Sequence, residues 1–231
     1  MDQTQTNKNN ISVPLAIVLA GAMIAGAVYL GGRTPLPEGR NLAKTELPDI
    51  ESVGSADKIF GNKEAQVIVV EYSDLECPFC KVFHNTMHQI VDEYKGKIAW
   101  VYRHYPIKEL HTRATREAEA SECAYEQGGS VIFWKYIDQV FATTGTNDTL
   151  DPLELPKIAG SLGLNTEVFN TCLNTGKYAA KVQEDVKKAV EAGARGTPYS
   201  VILKNGVEVD TINGAEPLTS IKIKLDKALS N

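Results

Sequence analysis

Positive charge is in deficit: 24 Lys and Arg stand against 29 Asp and Glu, a formal net charge of −5 over 231 residues. An acidic chain with no Lys/Arg cluster lacks the electrostatic footprint of a nucleic-acid binder, and that class is excluded. Cysteine is scarce. Four residues, Cys77, Cys80, Cys123 and Cys172, are too few for a disulfide-built scaffold, although an even number leaves pairing open. Internal repeats are absent. Hydrophobic residues at 43% and charged residues at 23% exclude collagen, low-complexity disorder and a multi-span membrane protein. The length suits one large domain or two small ones.

Charge is missing altogether between Lys8 and Arg33. Ile11 to Leu30 is nearly all apolar, and a helix of that length spans about 30 Å, the thickness of a hydrocarbon core. Ser12 can cap it, and Pro14 falls in its first turn, where a missing N–H costs little. A soluble helix is rarely apolar all round for this length. The run therefore reads as an uncleaved transmembrane anchor over residues 11–31, with residues 1–10 as a cytoplasmic N-terminus. The competing reading is a cleaved signal peptide at Ala25-Gly26-Ala27, whose cut would fall inside the apolar run. No cysteine follows the run, which excludes a lipoprotein. Lys8 on one side and Arg33 and Arg40 on the other leave orientation almost unmarked. Residues 32–60, with Pro35, Pro37, Pro48 and mixed charges, read as a tether.

Globular periodicity begins near Gly61. Val67-Ile68-Val69-Val70 is a β-branched run suited to a strand buried on both faces. A turn from Ser73 to Glu76 leads to Cys77-Pro78-Phe79-Cys80. Val82, Phe83, Met87, Ile90, Val91 and Tyr94 then recur at helical spacing, and Ile98, Trp100 and Tyr102 alternate as a second strand. This is a right-handed βαβ unit. Residues 109–193 carry helical patterns: Thr112 to Gln127, Val131 to Thr143, short segments after Pro152 and from Thr166, and Lys177 to Ala192. The tail returns to strands, Tyr199 to Leu203 and Val207 to Ile212, joined at the hairpin signal Asn205-Gly206. A final helix runs from Pro217 to Leu229. The expectation is an α/β fold with one sheet built from residues 61–108 and 194–231, carrying 109–193 as a helical insertion.

The chemistry sits at Cys77-Pro78-Phe79-Cys80, a C-x-x-C that opens a helix directly after a buried strand. Free N–H groups and the positive dipole end at a helix start favour thiolate over thiol. Pro78 suits the first helical position. A stabilised thiolate is a good leaving group, so the disulfide form becomes a better oxidant. Cys77 is expected to be the exposed attacking sulfur and Cys80, one turn inward, the buried resolving one. A zinc site drawn from Cys77, Cys80, His84 and His88 fails on geometry. Cys80, His84 and His88 stretch about 12 Å along one helix, too far for one metal. His84 and His88 are expected on the helix surface. No metal and no cofactor is called for.

The stretch Val69 to Cys80 resembles the active-site segment of DsbA-like thiol–disulfide oxidoreductases of the thioredoxin superfamily. Gly196-Thr197-Pro198 resembles their second signature, a loop with a cis-proline before the third strand; its alternative is a plain turn. The resemblance runs from about Gly61 to Leu229. It implies a thioredoxin fold with a helical insertion, preceded here by the transmembrane helix, and a cis Pro198 against the Cys77 sulfur. The Thr197 backbone would be free to pair with an extended substrate, and its hydroxyl to donate to the thiolate. Glu71 matches a buried glutamate that carries protons for Cys80, and burial would raise its pKa; the alternative is a strand-edge glutamate facing water. The family's strong oxidants carry histidine where Phe79 stands. Phe79 donates no hydrogen bond and Glu76 adds negative charge, so both are expected to raise the Cys77 pKa, with Arg195 either offsetting them or merely solvated.

Cys123 and Cys172 match family positions that form a second, structural disulfide; the alternative is two buried free thiols. A bridge would point to an oxidising compartment. The expected activity is disulfide donation to reduced or unfolded secreted proteins on the extracytoplasmic (periplasmic or outer) face of a membrane. Recharging would fall to a quinone-linked membrane oxidase of the DsbB or VKOR kind. Reductase or isomerase action on the same fold is the nearest rival. A non-enzymatic metal-binding or chaperone module is a more distant one.

Overall fold

The structure, a computed structural model, describes residues 50–230. The expected cytoplasmic N-terminus, the membrane anchor at 11–31 and most of the tether lie outside the described residues. Among the described residues no helix is long and apolar enough to cross a membrane.

Five strands form one mixed sheet: β1 (Lys58–Gly61), β2 (Val67–Ser73), β3 (Ile98–His104), β4 (Tyr199–Lys204) and β5 (Val207–Asn213), in the order β1-β3-β2-β4-β5. Helix α1 (Pro78–Glu93) connects β2 to its parallel neighbour β3. Then come α2 (Ala114–Thr143), α3 (Glu154–Ser161), α4 (Thr166–Asn174) and α5 (Ala179–Glu191), and after the β4–β5 hairpin α6 (Leu218–Ser230). Helix α2 joins the two segments read separately from the sequence, across a break at Gly129, whose φ of 64° and ψ of −165° are not helical.

Alternation along β2 sorts its side chains onto two faces. Val67 and Val69 meet Phe83, Met87 and Ile90 of α1, Ile221 and Leu225 of α6, and the aromatic second half of α2. Val70 and Tyr72 face the other way, with Val101, Val201 and Leu203, against Ala189, Ala192 and Ala194. Helix α5 is thus a covering layer of the sheet itself. It falls inside the segment 109–193 expected as a helical insertion.

Strand β1 lies inside the segment expected as linker and pairs antiparallel with the free edge of β3, Lys58 opposite Tyr102. Ile50 and Val53 pack on the second core. The Arg103 guanidinium holds Asp57 through two contacts of 2.9 and 3.0 Å. Lys58 is 2% exposed, and its Nζ lies 2.5 Å from Glu122 Oε1 on α2. A buried charge needs such a partner. Four residues are too few for strand alternation to be read locally, and neither ion pair is visible from spacing.

Candidate active site

The β2 strand ends at Ser73 and the chain turns at once, the Cys77 N–H donating to the Asp74 carbonyl at 3.2 Å. Cys77 caps α1 in extended conformation, and Pro78 takes the first helical position, where its missing N–H costs nothing. The two sulfurs are not bonded to each other in this structure. Cys77 keeps 5% of its surface exposed and Cys80 none, so only the first sulfur can be reached from solvent, and by less than the sequence suggested. The Asp74 N–H donates to Cys80 Sγ at 3.4 Å.

The Thr197–Pro198 peptide bond is cis. The Cys77 thiol donates to the Thr197 carbonyl at 3.4 Å, so the chain brings the two signatures together across 120 residues. The Thr197 hydroxyl is buried without a hydrogen-bond partner, and Thr197 favours the ionised sulfur.

The Cys77 thiol is pulled down to about 6. The largest cause is hydrogen bonding from Cys80, against which burial acts. Thr197 and the backbone N–H groups of Cys80 and Phe79 add to it. Burial pushes Cys80 well up, and the neighbouring Cys77 and Glu71 charges push it further. The causes that set this value include the Phe79 backbone and neither the Phe79 nor the Glu76 side chain. Phe79 points away, 63% exposed. The Glu76 side chain is buried, its oxygens accepting from Thr144 Oγ1 and from the Asp148 and Leu150 N–H groups. Arg195 is exposed.

Glu71 stands opposite Tyr102 of β3 and Ser200 of β4, in the middle of the sheet rather than at an edge. It is fully buried. Trp100 Nε1 donates to its Oε2 at 2.9 Å, and its Oε1 has no partner. Burial raises its pKa to about 8, so at neutral pH the group holds its proton. Cys123 and Cys172 are bonded to each other, joining α2 to α4.

Several residues escaped the sequence reading. Asp74 Oδ1 accepts from the Glu76 N–H, and its Oδ2 takes the Ile107 N–H at 2.8 Å and meets His111 Nδ1 at 2.9 Å, fixing the turn that precedes Cys77. Glu117 of α2 is buried, and burial together with its hydrogen bond to Glu76 raises its pKa to about 10. No local pattern links residues so far apart. His84, expected on the surface, is 3% exposed. It lies within 2.7 Å of Asp138 on α2, and burial lowers its pKa.

A thiol with a pKa near 6 is mostly ionised at neutrality. At pH 7 about 90% of Cys77 would be thiolate, against about 3% of a free cysteine. In the reduced protein the rate of Cys77 alkylation by iodoacetamide should therefore rise with pH through a midpoint near 6. A midpoint at the free-cysteine value of about 8.5 would contradict the geometry described here.

The family model described as Thioredoxin matches residues 55–221. Among solved structures, DsbA2 of Pseudomonas aeruginosa is 30% identical with a TM-score of 0.62, covering 74% of this chain and 94% of that one. The alpha-DsbA1 of Wolbachia pipientis is 25% identical with a TM-score of 0.65, covering 77% and 92%. BdbD of Bacillus subtilis shares the fold at 23% identity, TM-score 0.65, covering 76% and 94%. Curated relatives include the Na(+)/H(+) antiporter NhaA 3 of Salinispora tropica, 34% identical over 142 residues, which are 62% of this chain and 21% of that protein. The antiporter NhaA 1 of Mycolicibacterium gilvum is 28% identical over 201 residues, 85% of this chain and 31% of that protein. The chain spans between about a fifth and a third of the length of these two antiporters.

Proposed function

The chain belongs to the thioredoxin family, among its DsbA-type members, and on that premise we propose that it donates disulfides to reduced secreted proteins outside the cytoplasm. The carrying observation is the asymmetry of the sulfur pair: a reachable thiol with a pKa of about 6 beside a sealed one pushed well up. The low value stabilises the reduced enzyme, which makes its disulfide the better oxidant. A lowering from the free-cysteine value of about 8.5 to about 6 corresponds to about 3 kcal/mol in favour of the thiolate. The Cys123–Cys172 bridge supports an oxidising compartment.

The reaction starts from the Cys77–Cys80 disulfide. A substrate thiolate attacks Cys77 Sγ, the S–S bond breaks, and Cys80 Sγ leaves with the electron pair. Protonated Glu71 supplies the proton that the buried Cys80 sulfur needs. The substrate's second thiolate then attacks the substrate sulfur of the mixed disulfide and expels Cys77 as thiolate. The substrate dithiol has become a disulfide and the enzyme a dithiol. Thr197, with its backbone freed by the cis bond to Pro198, pairs with the extended substrate. A quinone-linked membrane oxidase is the partner class that would restore the 77–80 disulfide, and the apolar run at 11–31 would hold the domain near it. No transport is carried over from the antiporters, of which the chain spans so small a part.

The test is the reduction potential of the 77–80 pair, by equilibration with glutathione, alongside oxidative refolding of a reduced two-cysteine substrate. A donor should lie well above about −230 mV and drive refolding; a value near the −270 mV of thioredoxin would make it a reductase.

A further inference from the structure

Helix α1 carries a second cluster one and two turns beyond Cys80, on the same face. His84 and His88, one turn apart, both turn toward Asp138 of α2. His84 Nε2 lies 2.7 Å from Asp138 Oδ1, His88 Nε2 lies 2.9 Å from the same oxygen, and the two Nε2 atoms are 3.2 Å apart. We propose that His84 Nε2, His88 Nε2 and Asp138 Oδ1 form a binding site for one divalent cation of zinc's class.

Hydrogen bonding leaves the triangle incomplete. Each neutral imidazole carries one proton, so two Nε2–H groups can serve the two edges to Asp138, and the edge between the nitrogens then has none. A cation at the centre satisfies all three atoms at once. Ligands about 2.0–2.1 Å from a tetrahedral zinc lie about 3.3 Å from one another, so the triangle needs to open by only a few tenths of an ångström. Two imidazoles with one carboxylate form a donor set suited to zinc-class metals rather than to calcium or magnesium, which take oxygen.

The rings are already held. The His84 ring lies 4.7 Å from that of Phe141 and 5.1 Å from that of Trp100, and the His88 ring 4.5 Å from that of Phe60. Locked rotamers lower the cost of assembling a site. A pocket of about 380 Å³, with Lys81 and Asn85 on its wall, opens over the three atoms and leaves the fourth position to water. The geometry that excluded Cys80, His84 and His88 as a set does not apply here, because the third ligand comes from a different helix.

Zinc titration by calorimetry tests it. The full 231-residue chain, in detergent micelles and freed of metal by chelator, is used with Cys77 and Cys80 locked as a disulfide so that neither thiolate can bind. One zinc per chain is expected, with a zinc-dependent rise in melting temperature. Asp138→Asn and His88→Gln should each weaken binding by at least about tenfold and abolish that rise. Melting in chelator reports whether either variant is folded; a ligand lost from a folded variant is the supporting result. No uptake by the wild type at micromolar zinc, or equal uptake by folded variants, overturns the proposal.

Discussion

Cys77→Ser should lower disulfide transfer by more than about a thousandfold, because without Cys77 the 77–80 disulfide that a substrate thiolate attacks cannot form. Cys80 cannot substitute, since it has no exposed surface. Cys80→Ser gives a different expected result. Its Cys77 thiolate can still join a disulfide-bearing partner but has no neighbour to resolve the bond, so the mixed disulfide should accumulate as a band on non-reducing gels. Refolding assays with the two variants separate the roles. Transfer retained by Cys77→Ser would contradict the mechanism, and so would equal trapping by both variants.

The second large effect is on stability. Cys123 and Cys172 close a loop with a sequence separation of 49. In the chain-entropy model such a bridge contributes about 4 kcal/mol by restricting the unfolded chain. The double variant Cys123→Ser, Cys172→Ser should therefore melt about 8–16 °C lower, taking about 2–4 °C per kcal/mol for a domain of this size. Both positions are buried, 1% and 7% exposed, so the two hydroxyls need partners and the loss falls toward the upper end. Well below the transition, transfer should persist, because neither residue takes part in the exchange at Cys77 and Cys80. Unchanged melting by circular dichroism would show the bridge to be energetically idle.

Much of this architecture follows from periodicity. The β-branched run of β2, the apolar stripe of α1 and the Asn205-Gly206 turn each declare an element locally, and Pro78 marks the helix start. The approach of Thr197 and Pro198 to Cys77 was legible only through resemblance. Side-chain direction was not legible. Glu76 was expected beside the thiol because it precedes it in the chain, yet its oxygens are taken by Thr144, Asp148 and Leu150. The helix-opening amides that the motif places at Cys77 lower its pKa less than the Cys80 thiol does. Asp138 lies 54 residues beyond His84, a separation no motif spans. Strand β1 carries no local signal because its partner edge and its ion pair with Glu122 are supplied by distant segments.

The inward turn of Glu76 binds the fate of two regions. Its oxygens are satisfied by the segment between α2 and α3, so neither that segment nor the bend before Cys77 can loosen alone without leaving polar atoms dry and unpaired. Local opening is thereby penalised at both ends, and the redox loop and the helical lobe are coupled into one cooperative unit, melting together rather than fraying separately.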